Sequence, residues 1–215
     1  MSTTRTVVAL SLILAACSSG GGDKTGPTTG DLAITVTGLP SGPASIVVTG
    51  PGGYNHAVTA STTLTGLTTG NYTVTASNVV GATATYSPTP VSSAVSVTSS
   101  GATAVVDYAL SSGSISLTVT GLAGGVNADV SISGPVNQNA TGSSTVYNLP
   151  AGTYTVTANI VAVGTTTFGG TPPSQQVVVP VSLTPVPASL AYSAMTGQLT
   201  VTVNGLPGSV TPGVL

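Results

Sequence analysis

An internal repeat of about 83 residues constrains this 215-residue chain more than any other feature. Gly38-Leu39-Pro40 returns as Gly121-Leu122-Ala123 and again, after a nearly equal step, as Gly205-Leu206-Pro207. Gly50-Pro51 returns at Gly134-Pro135, and the segment from Leu67 to Ala76 returns at Leu149 to Ala158, both at that same period to within a position or so. Tyr108 and Tyr192 stand at the same distance before the next Gly-Leu. Four landmarks in one order at one period define units: complete repeats at 31–111 and 112–195, then at 196–215 the first strand of a truncated third. Each unit must therefore close a core within roughly 80 residues, a size at which a domain buries only about 60% of its unfolded surface.

Within each unit the apolar pattern has a period of two. Ile34 and Val36 alternate with Thr35 and Thr37, Ile115, Leu117 and Val119 with Ser116, Thr118 and Thr120, and Leu199, Val201 and Val203 with Thr200 and Thr202. Tyr72, Val74 and Ala76, like Tyr154, Val156 and Ala158, alternate in the same way. Such runs bury one face of a strand and wet the other. Thr and Val favour strands, Gly, Pro, Asn and Ser fall between the runs at turn spacing, and no segment carries a helical stripe. The expectation is an all-β chain of tandem small β-sandwiches, immunoglobulin-like or transthyretin-like, with about seven strands each.

The segment Leu-Pro-Ala-Gly-Thr-Tyr-Thr-Val-Thr-Ala at 149–158, with its counterpart at 67–76, resembles the strand-turn-strand signature of bacterial surface repeats with a prealbumin-like sandwich. Carboxypeptidase-regulatory-like domains and collagen-adhesin B-type repeats are such proteins. The resemblance implies an architecture more than an activity. In this reading the Leu closes the core, the Gly permits a tight turn and the Tyr packs inside. The Lys–Asn cross-link of the adhesin relatives is excluded from the repeats, because the one lysine, Lys24, precedes them.

The N-terminus carries a different message. Arg5 and the free amine precede the apolar run Val7 to Leu14, which ends in small residues, the order of a secretory signal. That run is too short to span a membrane, which takes roughly 20 apolar residues. Leu14-Ala15-Ala16-Cys17 resembles the lipobox of bacterial lipoproteins, which implies removal of residues 1–16 and lipidation of Cys17, the one cysteine of the chain. The implied partner is a membrane, reached through that lipid, and Ser18 in place of Asp resembles the outer-membrane-bound class. Residues 17–30, rich in Gly, Ser and Thr, read as a flexible tether with a reach on the order of 20 Å.

Charge removes several function classes. The chain has two basic and four acidic residues, and of these only Asp31, Asp107 and Asp129 fall within the two repeats. Nucleic-acid binding needs phosphate-neutralising Lys and Arg, which the repeats lack. Acid–base catalysis needs a titratable group beside a partner that tunes it, and the chain has one histidine, no glutamate and three separated aspartates in its repeats. No catalytic residue, metal site or cofactor is expected. The candidate ligand contacts are Tyr54, Asn55 and His56, beside a Gly-rich turn, where an aromatic ring meets two polar side chains. The absence of tryptophan weighs against a carbohydrate platform.

These readings favour a non-enzymatic, lipid-anchored envelope protein, exported to the outer membrane or cell surface, whose repeats act as a stalk or display spacer. The alternatives are an adhesin that binds an extracellular protein or glycan, and the accessory region of a longer enzyme. The segment 196–215 has the alternation of a first strand without the strands that would cover it, so a longer parent protein and self-association through that strand are expected.

Overall fold

The computed structural model describes residues 28–195. The signal sequence, Cys17, most of the tether and the 196–215 segment lie outside the described residues.

Alternating Thr and aliphatic residues produce strands throughout, and each repeat forms two sheets. Repeat 1 contains β1 (Thr29–Thr37), β2 (Ile46–Gly50), β3 (Tyr54–Val58), β4 (Thr62–Thr68), β5 (Gly70–Ala76), β6 (Val79–Val80), β7 (Thr85–Thr89), β8 (Ser92–Val97) and β9 (Ala102–Leu110). Repeat 2 contains β10 (Ser112–Thr120), β11 (Val130–Ser133), β12 (Gln138–Ala140), β13 (Ser144–Pro150), β14 (Gly152–Ala158), β15 (Val161–Val163), β16 (Thr166–Thr171), β17 (Ser174–Val179) and β18 (Val186–Ala194). In repeat 1 the sheet β4-β1-β9-β7-β6 accompanies β3-β2-β5-β8, and in repeat 2 the sheet β13-β10-β18-β16-β15 accompanies β12-β11-β14-β17. The all-β sandwich class is thus present in both units, with nine strands each rather than about seven. Part of the surplus lies in β6 and β15, which at two and three residues are too short to display an alternation. β1 begins at Thr29, so Thr29 and Gly30, expected in the tether, pair with Thr68 and Leu67.

Each sandwich holds its own core. Leu32, Ile34, Ala104, Val106 and Tyr108 from one sheet of repeat 1 meet Ile46, Val48, Tyr72, Val74 and Val97 from the other. Ile115, Leu117, Leu190 and Tyr192 meet Val130, Ile132, Tyr154, Val156 and Val179 in repeat 2. The first and last strands of each unit lie side by side and parallel, Leu32 opposite Ala102 and Ile115 opposite Val186. A parallel pair needs a long crossover, and here the remainder of the domain supplies it.

The repeated landmarks turn out to be packing devices. Gly50 lies under the ring of Tyr72 and Gly134 under that of Tyr154, so closely that a Cβ on Gly50 would run into the Tyr72 ring, and one on Gly134 would stand 2.6 Å from Cδ1 of Tyr154. The Tyr72 hydroxyl donates to the carbonyl of Thr68 at 2.9 Å, and that of Tyr154 to Pro150 at 3.0 Å. Gly38 and Gly121 have φ of 82° and 87° and approach the carbonyls of Tyr108 and Tyr192, which only a residue without Cβ can do. Those two tyrosines are 2% and 3% exposed, and their hydroxyls donate to the carbonyls of Ser45 and Asp129, at 3.2 and 2.8 Å.

Candidate functional site

Tyr54, Asn55 and His56 open β3, an edge strand held to β2 through the pairs Gly50–Tyr54, Thr49–Asn55 and Val48–His56. Because side chains alternate along a strand, Tyr54 and His56 share a face with buried Val58, while Asn55 turns to the opposite face. Tyr54 is half-buried, its ring set edge-on against Tyr72 with centroids 5.6 Å apart and an interplanar angle of 77°. The exposed His56 ring stands 6.2 Å from that of Tyr54, tilted by 32°. Burial, with a smaller contribution from Tyr72, raises the pKa of the Tyr54 phenol above 10.0. The fold therefore brings Tyr54 and His56 together and sets Asn55 apart. A surface hollow of about 290 Å³ is lined by His56 and residues 57–62, without Tyr54 or Asn55.

The register also identifies the counterpart of His56. Val48 faces His56 and its equivalent Ile132 faces Gln138, because the β2–β3 turn is longer than the β11–β12 turn. A sequence alignment without that turn would place the counterpart nearer Ala140.

The aspartates lie apart from one another, each with a hydrogen-bond partner. Asp31 accepts from the Gly66 amide at 3.0 Å, Asp107 from the Thr37 hydroxyl at 2.7 Å, and Asp129 from the Asn159 side-chain amide at 2.9 Å. Among the described residues no three His, Cys, Asp or Glu side chains gather as metal ligands. No described helix is long and apolar enough to cross a membrane.

A second constellation, which sequence reasoning missed, lies at the junction of the repeats. The Thr85 amide donates to Ser112 Oγ at 2.8 Å, and the Thr85 carbonyl accepts from the Ser111 amide at 2.9 Å. The Thr85 hydroxyl donates to Asn148 Oδ1 and Asn148 Nδ2 donates to the Gly81 carbonyl, each at 3.0 Å. Ser112 is 3% exposed, and it and Ser114 are the buried polar side chains among the described residues. One signal could have revealed this cluster: the residue before the repeated Leu is Gly66 in repeat 1 and Asn148 in repeat 2, the pair of residue types that tolerate a left-handed backbone.

No family model matches the sequence, and no curated protein matches it. Among solved structures, the chain is similar to the Bacillus anthracis TIE protein at 17% identity and a TM-score of 0.36, over 77% of this chain and 34% of that one. It is also similar to a Streptococcal ancillary pilin at 12% identity and a TM-score of 0.42, over 79% of this chain and 64% of the pilin. The minor pilin GBS52 of Streptococcus agalactiae matches at 11% identity and a TM-score of 0.34, over 81% of this chain and 100% of that one. The chain thus spans less than two thirds of the first two.

Proposed function

We propose that this chain is a lipid-anchored spacer of the bacterial envelope, held through Cys17, whose β-sandwich repeats carry whatever follows them away from the membrane. One observation carries the reading: the Gly–Tyr landmarks that recur between the repeats are internal packing devices, and the titratable side chains that could contact a ligand do not recur. Gly50 with Tyr72 and Gly38 with Tyr108 have counterparts in Gly134 with Tyr154 and Gly121 with Tyr192. By contrast, His56 corresponds to Gln138, Asp107 to Ala191 and Asp129 to Ser45. A repeated shape without a repeated titratable group suits reach rather than recognition. Anchoring by two or three acyl chains suits permanent attachment, since each buried methylene contributes about 0.8 kcal/mol.

The test uses an epitope fused after Leu215 and an antibody applied to intact cells. The full chain should display the epitope, deletion of both repeats should reduce access, and an unrelated sandwich pair of equal length should restore it. Cys17→Ser should release the protein and abolish lipid labelling. Failure of the unrelated pair to restore access would reject the spacer reading.

A second reading, adhesion through repeat 1, is favoured by the Tyr54–His56 pair on an exposed edge strand. Tyr54→Ala and His56→Ala would then remove binding to an extracellular protein or glycan while β3 stays folded, and unchanged binding would reject it.

A further inference from the structure

Asn148 occupies a position at which glycine costs less. Gly113 pairs with Leu149 and Ile115 with Val146, so Tyr147 and Asn148 together oppose the single residue Ser114. This is a β-bulge whose residue in the left-handed region is Asn148, at φ 59°, the one non-glycine with positive φ among the described residues. The same bulge in repeat 1, between Gly30–Leu67 and Leu32–Leu64, puts Gly66 there at φ 68°. An L-residue in this region carries backbone strain that glycine avoids, and strain persists where surrounding contacts offset it. Those contacts are the two bonds across the junction, which use both ends of the amide: Oδ1 takes the Thr85 hydroxyl and Nδ2 reaches the Gly81 carbonyl.

We infer that Asn148 is a clasp that fixes repeat 2 at a set angle to repeat 1, making the pair one stiff body rather than two beads on a hinge. The chain crosses the junction through one residue, Ser111, between β9 and β10, and a single covalent crossing leaves two domains free to rotate. Ser111 and Ser112 bind Thr85 next to that crossing, so they act near the pivot. Asn148 lies on a different strand, β13; its Oδ1 takes the hydroxyl of the same Thr85, and its Nδ2 reaches the Gly81 carbonyl in the turn that joins β6 to β7, which extends the contact beyond the pivot residue. A contact spread over Thr85 and Gly81 resists rotation better than one confined to Thr85. Repeat 1 carries Gly66 at this place, with no side chain to clasp anything before it, and its bulge is instead closed by Asp31. The identity of the bulge residue thus distinguishes repeat 2, docked on repeat 1, from repeat 1 itself. This inference stands whether the array is a spacer or an adhesin.

The experiment measures spin-label distances in the full chain carrying Cys17→Ser, with labels on cysteines introduced at exposed Ser96 and Gln176. The parent should give one narrow distance distribution. Asn148→Gly keeps the left-handed backbone and deletes both bonds, and should broaden the distribution while circular dichroism and the melting of each repeat stay as in the parent. Asn148→Asp retains an acceptor for Thr85 but sets a carboxylate against the Gly81 carbonyl, and should broaden it as well. A distribution of unchanged width in Asn148→Gly would overturn the inference, since the Ser111–Thr85–Ser112 contacts would then hold the angle alone. Unfolding of repeat 2 in the same variant would overturn it too, because Asn148 would then serve its own domain.

Discussion

Two glycines of repeat 2, replaced by alanine, should move stability in opposite directions. Neither Gly134 nor Gly142 has a positive φ, so neither substitution strains the backbone. Around Gly142 a Cβ would meet nothing within 4 Å, and the variant should gain about 0.4–1 kcal/mol, because alanine narrows the unfolded ensemble. At Gly134 the same Cβ would stand 2.6 Å from Cδ1 of Tyr154 and 2.9 Å from the carbonyl oxygen of Thr153. The ring is fully buried and the carbonyl belongs to β14, so relief requires the strand itself to shift. Overpacking of this kind costs about 1–3 kcal/mol, which leaves a net loss of about 0.5–2 kcal/mol after the unfolded-state gain. For a unit of this size each kcal/mol moves Tm by roughly 4–8 °C. Urea titration followed by far-ultraviolet circular dichroism, with thermal melts alongside, reads both variants. A Gly134→Ala protein as stable as Gly142→Ala would refute the claim that the Gly-Pro landmark exists to admit the tyrosine ring.

The phenols of Tyr154 and Tyr192 have their pKa raised above 10.0, chiefly by burial. The unfolded chain therefore releases those protons at lower pH than the folded one, so stability is complete below pH 10 and falls as pH rises beyond it. Tyr192→Phe should begin lower at neutral pH, by about 1 kcal/mol for the lost bond to the Asp129 carbonyl, and decline less steeply in alkali; an equally steep decline would refute this. Leu149→Ala, at a side chain 1% exposed, should cost about 2–5 kcal/mol in urea titration. Val178→Ala, at 67% exposure on the edge strand β17, should stay within about 0.5 kcal/mol.

The strands of the first and fifth positions were legible in the sequence because each is long enough to alternate: Ile34 and Val36 turn inward along β1, and Tyr154, Val156 and Ala158 along β14. The pairing of Tyr72 with Tyr154 and of Tyr108 with Tyr192 as core residues was legible from the repeat alone, since matching places in two copies of one fold share an environment. Edge pieces such as β6 escaped, having no room for a pattern. The candidate contacts were legible as a cluster, yet three consecutive residues of a strand cannot face one way, so Asn55 parts from Tyr54 and His56. What this sequence determined by itself is which face of each strand is apolar and how often the unit recurs, because alternation and repetition are local properties of the chain. Partners are not local. That β1 lies parallel to β9, that Gly50 receives a ring from Tyr72, and that Asn148 reaches back to Thr85 were decided only in the tertiary structure, where residues far apart along the chain compete for the same space.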